Sequence, residues 1–176
     1  MTARFAPFFL GCMLAWGFLT ASLAPLSAQV TFEISNAGVT VEGSFEEYTM
    51  DIQYNPAVPS ESYFQGSISI ASLDTGISLR DKHLRDEDYF HAEAHPEMTF
   101  SSQSVTATSN GTLKVRGMLK IKGTSKEIEF EVTPTETSEG WSFVTSLIIN
   151  RLDFGVGESS WILADDVKCM IQGSSK

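Results

Sequence analysis

From Leu113 to Val132 the chain alternates between apolar and polar residues, and that period of two fixes what it can fold into. Leu113, Val115, Gly117, Leu119 and Ile121 fall on one face, with Lys114, Arg116, Lys120 and Lys122 on the other. After a turn expected at Gly123-Thr124-Ser125, Ile128, Phe130 and Val132 alternate with Glu127, Glu129 and Glu131. Successive side chains on a strand point to opposite faces, so this segment buries one side of a sheet and wets the other. The cations of one strand stand beside the carboxylates of its neighbour. Such cross-strand pairs contribute roughly 0.2–1 kcal/mol each and help fix register. The four cations therefore read as a solvated strand face, in preference to an anionic docking stripe.

The same period recurs along the chain. Phe32 and Ile34 alternate up to a turn at Asn36-Ala37-Gly38, and Val39, Val41, Gly43 and Phe45 return from it. Met50, Ile52 and Tyr54 mark a third strand, closed by Asn55-Pro56 and Pro59, which cannot donate to a ladder. Tyr63 to Ile70 reads as a fourth, and Met98, Phe100 and Val105 line a fifth before the hairpin signal Asn110-Gly111. Trp141, Phe143 and Val144 open a strand that runs to Gly155, and Val167, Cys169 and Ile171 alternate in the last. The chain is thus mainly β, about eight strands at the spacing of a barrel or sandwich, with no repeat or second domain. One excursion breaks the pattern, near residues 76–90. Ser78 to Tyr89 is helix-length, Asp74 or Thr75 stands where a cap belongs, and Pro96 forbids helix beyond the following loop.

Residues 1–28 have a different character. Arg4 is followed by an uncharged run from Phe5 to Leu26 and by small residues at Ser27 and Ala28, the pattern of a secretory signal peptide cleaved after Ala28. A membrane anchor competes, but Pro7, Gly11, Gly17 and Pro25 interrupt the run. Lipidation at Cys12 would leave a second apolar stretch behind it. The expected division is a leader over 1–28 and one domain over 29–176, with a periplasmic or secreted location and no stable membrane span after cleavage. Cys169 is then the remaining cysteine, so no disulfide forms within the domain. A net charge of −10 excludes tracking of a phosphate backbone, and with it nucleic-acid binding.

Little in the chain assembles chemistry. His83, His91 and His95 lie near Asp81, Asp86, Asp88 and Glu93, yet no spacing fixes a zinc ligand set, so no metal site is expected. Cys169 sits on an apolar strand face, where a thiol is a small hydrophobe more often than a nucleophile. No nucleophile elbow or glycine-rich phosphate loop occurs. The expectation is a protein that is not an enzyme, with no catalytic residue and no cofactor. Arg80, Asp81, Arg151 and Asp153 flank irregular backbone; they either receive a polar head group or tie the rim together, and the structural role is favoured.

Several patches resemble the YceI-like family. They are Ser72-Leu73-Asp74-Thr75-Gly76, Arg80-Asp81-x-His83-Leu84-Arg85, Asp88-Tyr89-Phe90 and His95-Pro96-Glu97-Met98-Thr99-Phe100 in the excursion. Asn36-x-Gly38 with Val41-Glu42-Gly43-Ser44-Phe45, Gly117-x-Leu119-x-Ile121-x-Gly123-x-x-Lys126 and Asn150-Arg151-x-Asp153-Phe154-Gly155 extend the likeness over most of the chain. The longer first strand bearing a Trp, frequent in that family, is missing. The resemblance implies a lipocalin-like antiparallel barrel that binds isoprenoid or quinone-type lipids.

An eight-stranded barrel has room for side chains or for one small ligand, and alternation alone does not say which. The resemblance tips the reading to a hollow carrier of a long-chain isoprenoid or related amphiphile. From alternation, its lining is expected to be Ile52, Ile68, Ile70, Phe100, Leu119, Ile121, Phe130 and Phe143, with Leu84 and Phe90 closing one side. The alternatives are a packed structural or stress-related interaction module without ligand, and an accessory factor delivering a quinone-type molecule. A homodimer paired by an edge or rim is compatible with either.

Overall fold

The computed structural model describes residues 29–175; the expected leader lies outside the described residues. Ten strand pieces follow in order: β1 (Gln29–Asn36), β2 (Val39–Phe45), β3 (Tyr48–Gln53), β4 (Tyr63–Ser69), β5 (Leu73–Asp74), β6 (Glu97–Ala107), β7 (Leu113–Ile121), β8 (Thr124–Thr137), β9 (Gly140–Asn150) and β10 (Asp166–Ser175). Helix α1 (Ser78–Arg85) lies between β5 and β6. The strands form one antiparallel sheet in the order β3-β4-β6-β7-β8-β9-β10-β1-β2-β5.

The two ends of that order belong to the same pair of chain segments. β3 continues β2 across Glu46 and Glu47, and β5 continues β4 across a 3-10 turn at Ile70–Ser72. Ser69 N–H donates to Glu47 O at 2.9 Å and Glu46 N–H to Ser72 O at 3.3 Å, so pairing survives both breaks. Ten pieces thus trace eight strands of a sheet that curls back on itself. Curling removes most of the edge that an open sheet would expose. Hydrogen bonds carry the curl where β2 pairs β1. Lower down, β3 leans on β10 through side chains: a Cβ built on Gly173 would stand 2.8 Å from Met50 Sδ and 3.2 Å from Ile52 Cδ1.

Two local expectations need correction. The helix ends at Arg85, four residues before Tyr89, because Asp86, Glu87 and Asp88 set three carboxylates against the negative end of the helix dipole. Neither Asp74 nor Thr75 caps it; Ile77 holds the cap position without a side-chain bond. Asp74 Oδ1 instead accepts the Gly76 N–H at 2.7 Å, while Asp81 reaches back to the Thr75 N–H at 2.9 Å. The second correction is the β7–β8 turn, which is the pair Lys122-Gly123. Both residues have positive φ (47° and 77°), as a two-residue turn with the twist of its strands demands, and Thr124 already pairs with Ile121.

The charged faces behave as the alternation implies. Lys114 bonds Glu129 at 3.0 Å and Arg116 approaches Glu127 at 3.9 Å, each diagonal to its register partner and half exposed. Apolar side chains gather in two clusters. One, with Val30, Phe45, Ile70, Leu73, Met98 and Phe154, lies towards α1. The other, with Phe64, Val105, Leu113, Val115, Val132 and Phe143, plugs the opposite end.

Candidate ligand-binding site

The barrel is not filled between those clusters. A chamber of about 180 Å³ runs along the inner faces of the sheet, and a second of about 270 Å³ lies beneath α1. Together they reach the ~300–1,000 Å³ range of small-molecule pockets. Phe32, Phe45, Met98, Ile121, Ile149 and Cys169 line both, so the two chambers adjoin along a shared, mostly apolar wall. No charged side chain is among the residues around the first chamber; threonines and Gln65 are its polar members.

The inward faces supply the wall by simple alternation. Ile52, Ile68, Phe100, Leu119, Ile121, Phe130 and Phe143 all border the first chamber, and Leu84 and Phe90 border the second. Ile70 does not. It is 1% exposed and sits in the 3-10 turn, where its N–H donates to Pro96 O at 2.8 Å. The bend between β4 and β5 turns it out of the strand period into the packed cluster. Its alternation with Ile68 gave no warning, because a break in a strand leaves the residue types unchanged.

Aromatic rings shape both ends. Phe143 packs edge-on against Phe64 at 5.3 Å and Tyr54 at 5.4 Å, and Tyr54 against Trp141 at 5.0 Å, closing the bottom. Phe45 packs at a tilt on Phe32 at 5.6 Å and edge-on against Phe90 at 6.4 Å, towards the helix segment. Sequence reasoning missed Phe32, Met98, Ile149 and Cys169 as lining. Their signal was present: each continues the inward alternation of its strand.

The second chamber has a polar end, with Thr75, Arg80, His83 and Arg151 on its wall. Arg80 spends its guanidinium on Thr75, donating to Oγ1 and to the backbone O at 2.7 Å each. Arg151 is 5% exposed and is fully engaged. Its nitrogens donate to the carbonyls of Ala164, Val156 and Glu158 and to Asp165 Oδ1, each at 2.9 Å. Those partners hold the 155–165 loop to the end of β9. Asp153 is exposed and pairs with Lys126 at 2.6 Å. The geometry of these groups is that of ties between backbone segments.

The histidines do not converge. The His83 ring packs on Tyr89, while His91 meets His95 edge-on at 5.7 Å and His95 lies against Gly123. Among the described residues no group of three or more His, Cys, Asp or Glu side chains is placed to hold a metal. Burial pushes the Cys169 thiol up to about 11, so it is a protonated, unreactive part of the wall at neutral pH.

Comparison with known proteins agrees with this architecture. A sequence model described as the YceI-like domain matches residues 22–174, beginning inside the stretch expected to be a leader. A UPF0312 protein of Shewanella sp. (strain W3-18-1) is 28% identical over 136 residues, 73% of this chain and 71% of that protein. The crystal structure of Burkholderia cenocepacia BcnA superposes with a TM-score of 0.79 at 27% identity, covering 82% of this chain and 94% of that one. A polyisoprenoid binding domain from Saccharophagus degradans shares the fold, with a TM-score of 0.65 over 82% of this chain and 91% of that one, at 16% identity.

Proposed function

The chain belongs to the YceI-like family, and on that premise we propose that it is a carrier that sequesters a long-chain isoprenoid or related amphiphile in its channel. The observation that carries the proposal is the adjoining pair of chambers, the first of them lined by apolar and uncharged polar groups alone. A long hydrocarbon chain would be held there by burial, at about 25 cal/mol per Å² of apolar surface removed from water. Such a site needs a continuous apolar wall and an entrance, and no reacting group. The name of the Saccharophagus degradans domain supports the ligand class for this chain by analogy of fold. We further propose that the protein acts in the periplasm or outside the cell, with residues 1–28 as its removable leader.

The test is mass spectrometry of an organic extract from protein expressed in a bacterial periplasm and purified without detergent. A stoichiometric polyprenyl or quinone species is the expected result, and N-terminal sequencing of the same sample should begin at Gln29. A folded protein that yields no lipid and takes up no added long-chain isoprenoid would leave the packed interaction module as the better reading.

A further inference from the structure

Resting on the carrier reading, we infer that the end of the barrel beneath α1 docks on a lipid bilayer through exposed apolar side chains around the second chamber. Val39 stands at the β1–β2 hairpin, Ile77 and Leu79 at the start of α1, and Trp161 and Ile162 in the loop before β10. All are exposed, Leu79 at 79% and Trp161 completely. Among the described residues they make up five of the eight exposed large hydrophobics. Scattered singly, such residues need no explanation; gathered at one opening they do.

Three of the five, Val39, Leu79 and Ile162, adjoin residues of the chamber wall directly, and Ile77 and Trp161 lie beside them in sequence. Val39 pairs with Asn36 across the hairpin. Ile162 O accepts the Ala37 N–H at 2.6 Å, and the next residue, Leu163, bridges to Asn36. Leu79 precedes Arg80, and Ile77 O accepts the Asp81 N–H at 3.0 Å. Asn36, Arg80 and Leu163 all line the chamber. Three segments distant in sequence therefore bring apolar side chains to the border of one cavity.

A bilayer suits this arrangement better than a protein does. A specific protein partner needs roughly 800 Å² of packed, complementary surface per side. Side chains on three separate projections offer wedges, around which fluid lipid can close. Tryptophan is enriched at the membrane interface, where its ring is apolar and its N–H stays wet. An isoprenoid leaving a bilayer through a docked mouth would avoid exposing its chain to water. Charge does not drive the contact: Arg151 is paired with Asp165, Arg80 and Lys82 share their segment with Asp74 and Asp81, and the chain carries −10 overall. Insertion is accordingly expected to be indifferent to salt.

The experiment uses the processed protein, recovered from a bacterial periplasm, with phosphatidylcholine–phosphatidylethanolamine vesicles whose acyl chains are brominated. Bromine quenching of tryptophan fluorescence should be strong in the wild type and largely absent in Trp161→Phe. The double variant Leu79→Ser with Ile162→Ser should keep its melting temperature and lose roughly tenfold or more in vesicle affinity. Binding should persist in about 0.5 M sodium chloride. Equal quenching in wild type and Trp161→Phe, or unchanged affinity of the double variant, would overturn the inference. So would a dimer that the double variant converts to monomer, since the face would then join two copies. Lipid content of the same preparations judges the carrier reading separately. Docking by a protein that neither holds nor takes up isoprenoid would remove that reading and leave the surface standing.

Discussion

Arg151→Ala should cost the fold far more than an average substitution, because this guanidinium is the hub that fastens the 155–165 loop to the barrel. The side chain is 5% exposed and makes four bonds of 2.9 Å, three of them to backbone carbonyls. Truncation leaves Ala164 O, Val156 O and Glu158 O without that donor and Asp165 without its cation. Hydrogen bonds to a charged group contribute about 1.5–3 kcal/mol, and unpairing one partner of a buried ion pair costs about 3–5 kcal/mol. Asp165 keeps contact with water, and the bonds act as a unit, so the expected loss is about 3–5 kcal/mol rather than a sum of four. In a domain of this size each kcal/mol moves the melting temperature by roughly 2–4 °C, giving a fall of roughly 6–20 °C. Arg151→Lys should recover little of it, because a single ammonium does not span acceptors arranged for a planar fork. Circular dichroism melts, backed by urea titration, read the effect. A variant that melts within about 2 °C of the wild type but no longer takes up isoprenoid would refute the reasoning and assign Arg151 to the ligand.

Two further predictions address the channel itself. Leu119→Trp places an indole in the first chamber and should abolish isoprenoid uptake while the barrel still folds; undiminished uptake would remove Leu119 from the binding wall. The Cys169 thiol, raised from 9.0 to about 11 by burial, should react with iodoacetamide at pH 8 about a hundredfold more slowly than a free thiol, from its thiolate fraction alone. A raised thiol pKa means that the folded state favours the neutral form. Its contribution to stability is complete below pH 9 and fades as pH climbs from 9 to about 11. Melting temperature should fall more steeply over that window in the wild type than in Cys169→Ala, and equal slopes would refute the assignment.

Much of the fold could be read because a period of two survives wherever one face of a sheet is buried. The β7–β8 pair and the turns at Ala37-Gly38 and Asn110-Gly111 follow from residue types alone. What failed were places where longer-range contacts override local pattern. Ile70 alternates correctly and still leaves the wall, because its N–H goes to Pro96 O and the chain bends. The early helix end is a different case: the carboxylates of Asp86, Glu87 and Asp88 were a local signal, and the Ala92 N–H then turns back to Arg85 O. That β2 with β3, and β4 with β5, act as two bent strands was also invisible. Glu46-Glu47 and Ile70–Ser72 carry no breaker residue that marks a bend. The polar end of the second chamber joins Thr75, Arg80 and Arg151 from distant segments, a convergence that only tertiary structure supplies.

Alternation could not say whether the barrel was hollow, yet a usable signal lay in the inward glycines. Large rings on neighbouring strands lie flat across them instead of projecting into the lumen. Phe32 is the register partner of Gly43, and a Cβ there would stand 2.3 Å from its ring. A Cβ on Gly117 would meet the Phe100 ring at 2.7 Å. A barrel rich in phenylalanine thus keeps its centre open. Two substitutions separate this wall effect from general damage. At Gly43 the nearest obstacle is a ring that can rotate, so Gly43→Ala should swing Phe32, which borders both chambers, into the channel. Uptake should fall with about 1–2 kcal/mol of stability lost. At Gly117 the obstacles include Ser101 O at 2.3 Å and Ser102 Cα at 2.7 Å, which are backbone and give only by shifting β6. Gly117→Ala should therefore cost about 3 kcal/mol or more. Urea denaturation and isoprenoid uptake measured on both would decide it. If Gly43→Ala binds isoprenoid as the wild type does, the glycines serve strand packing alone and do not keep the channel open.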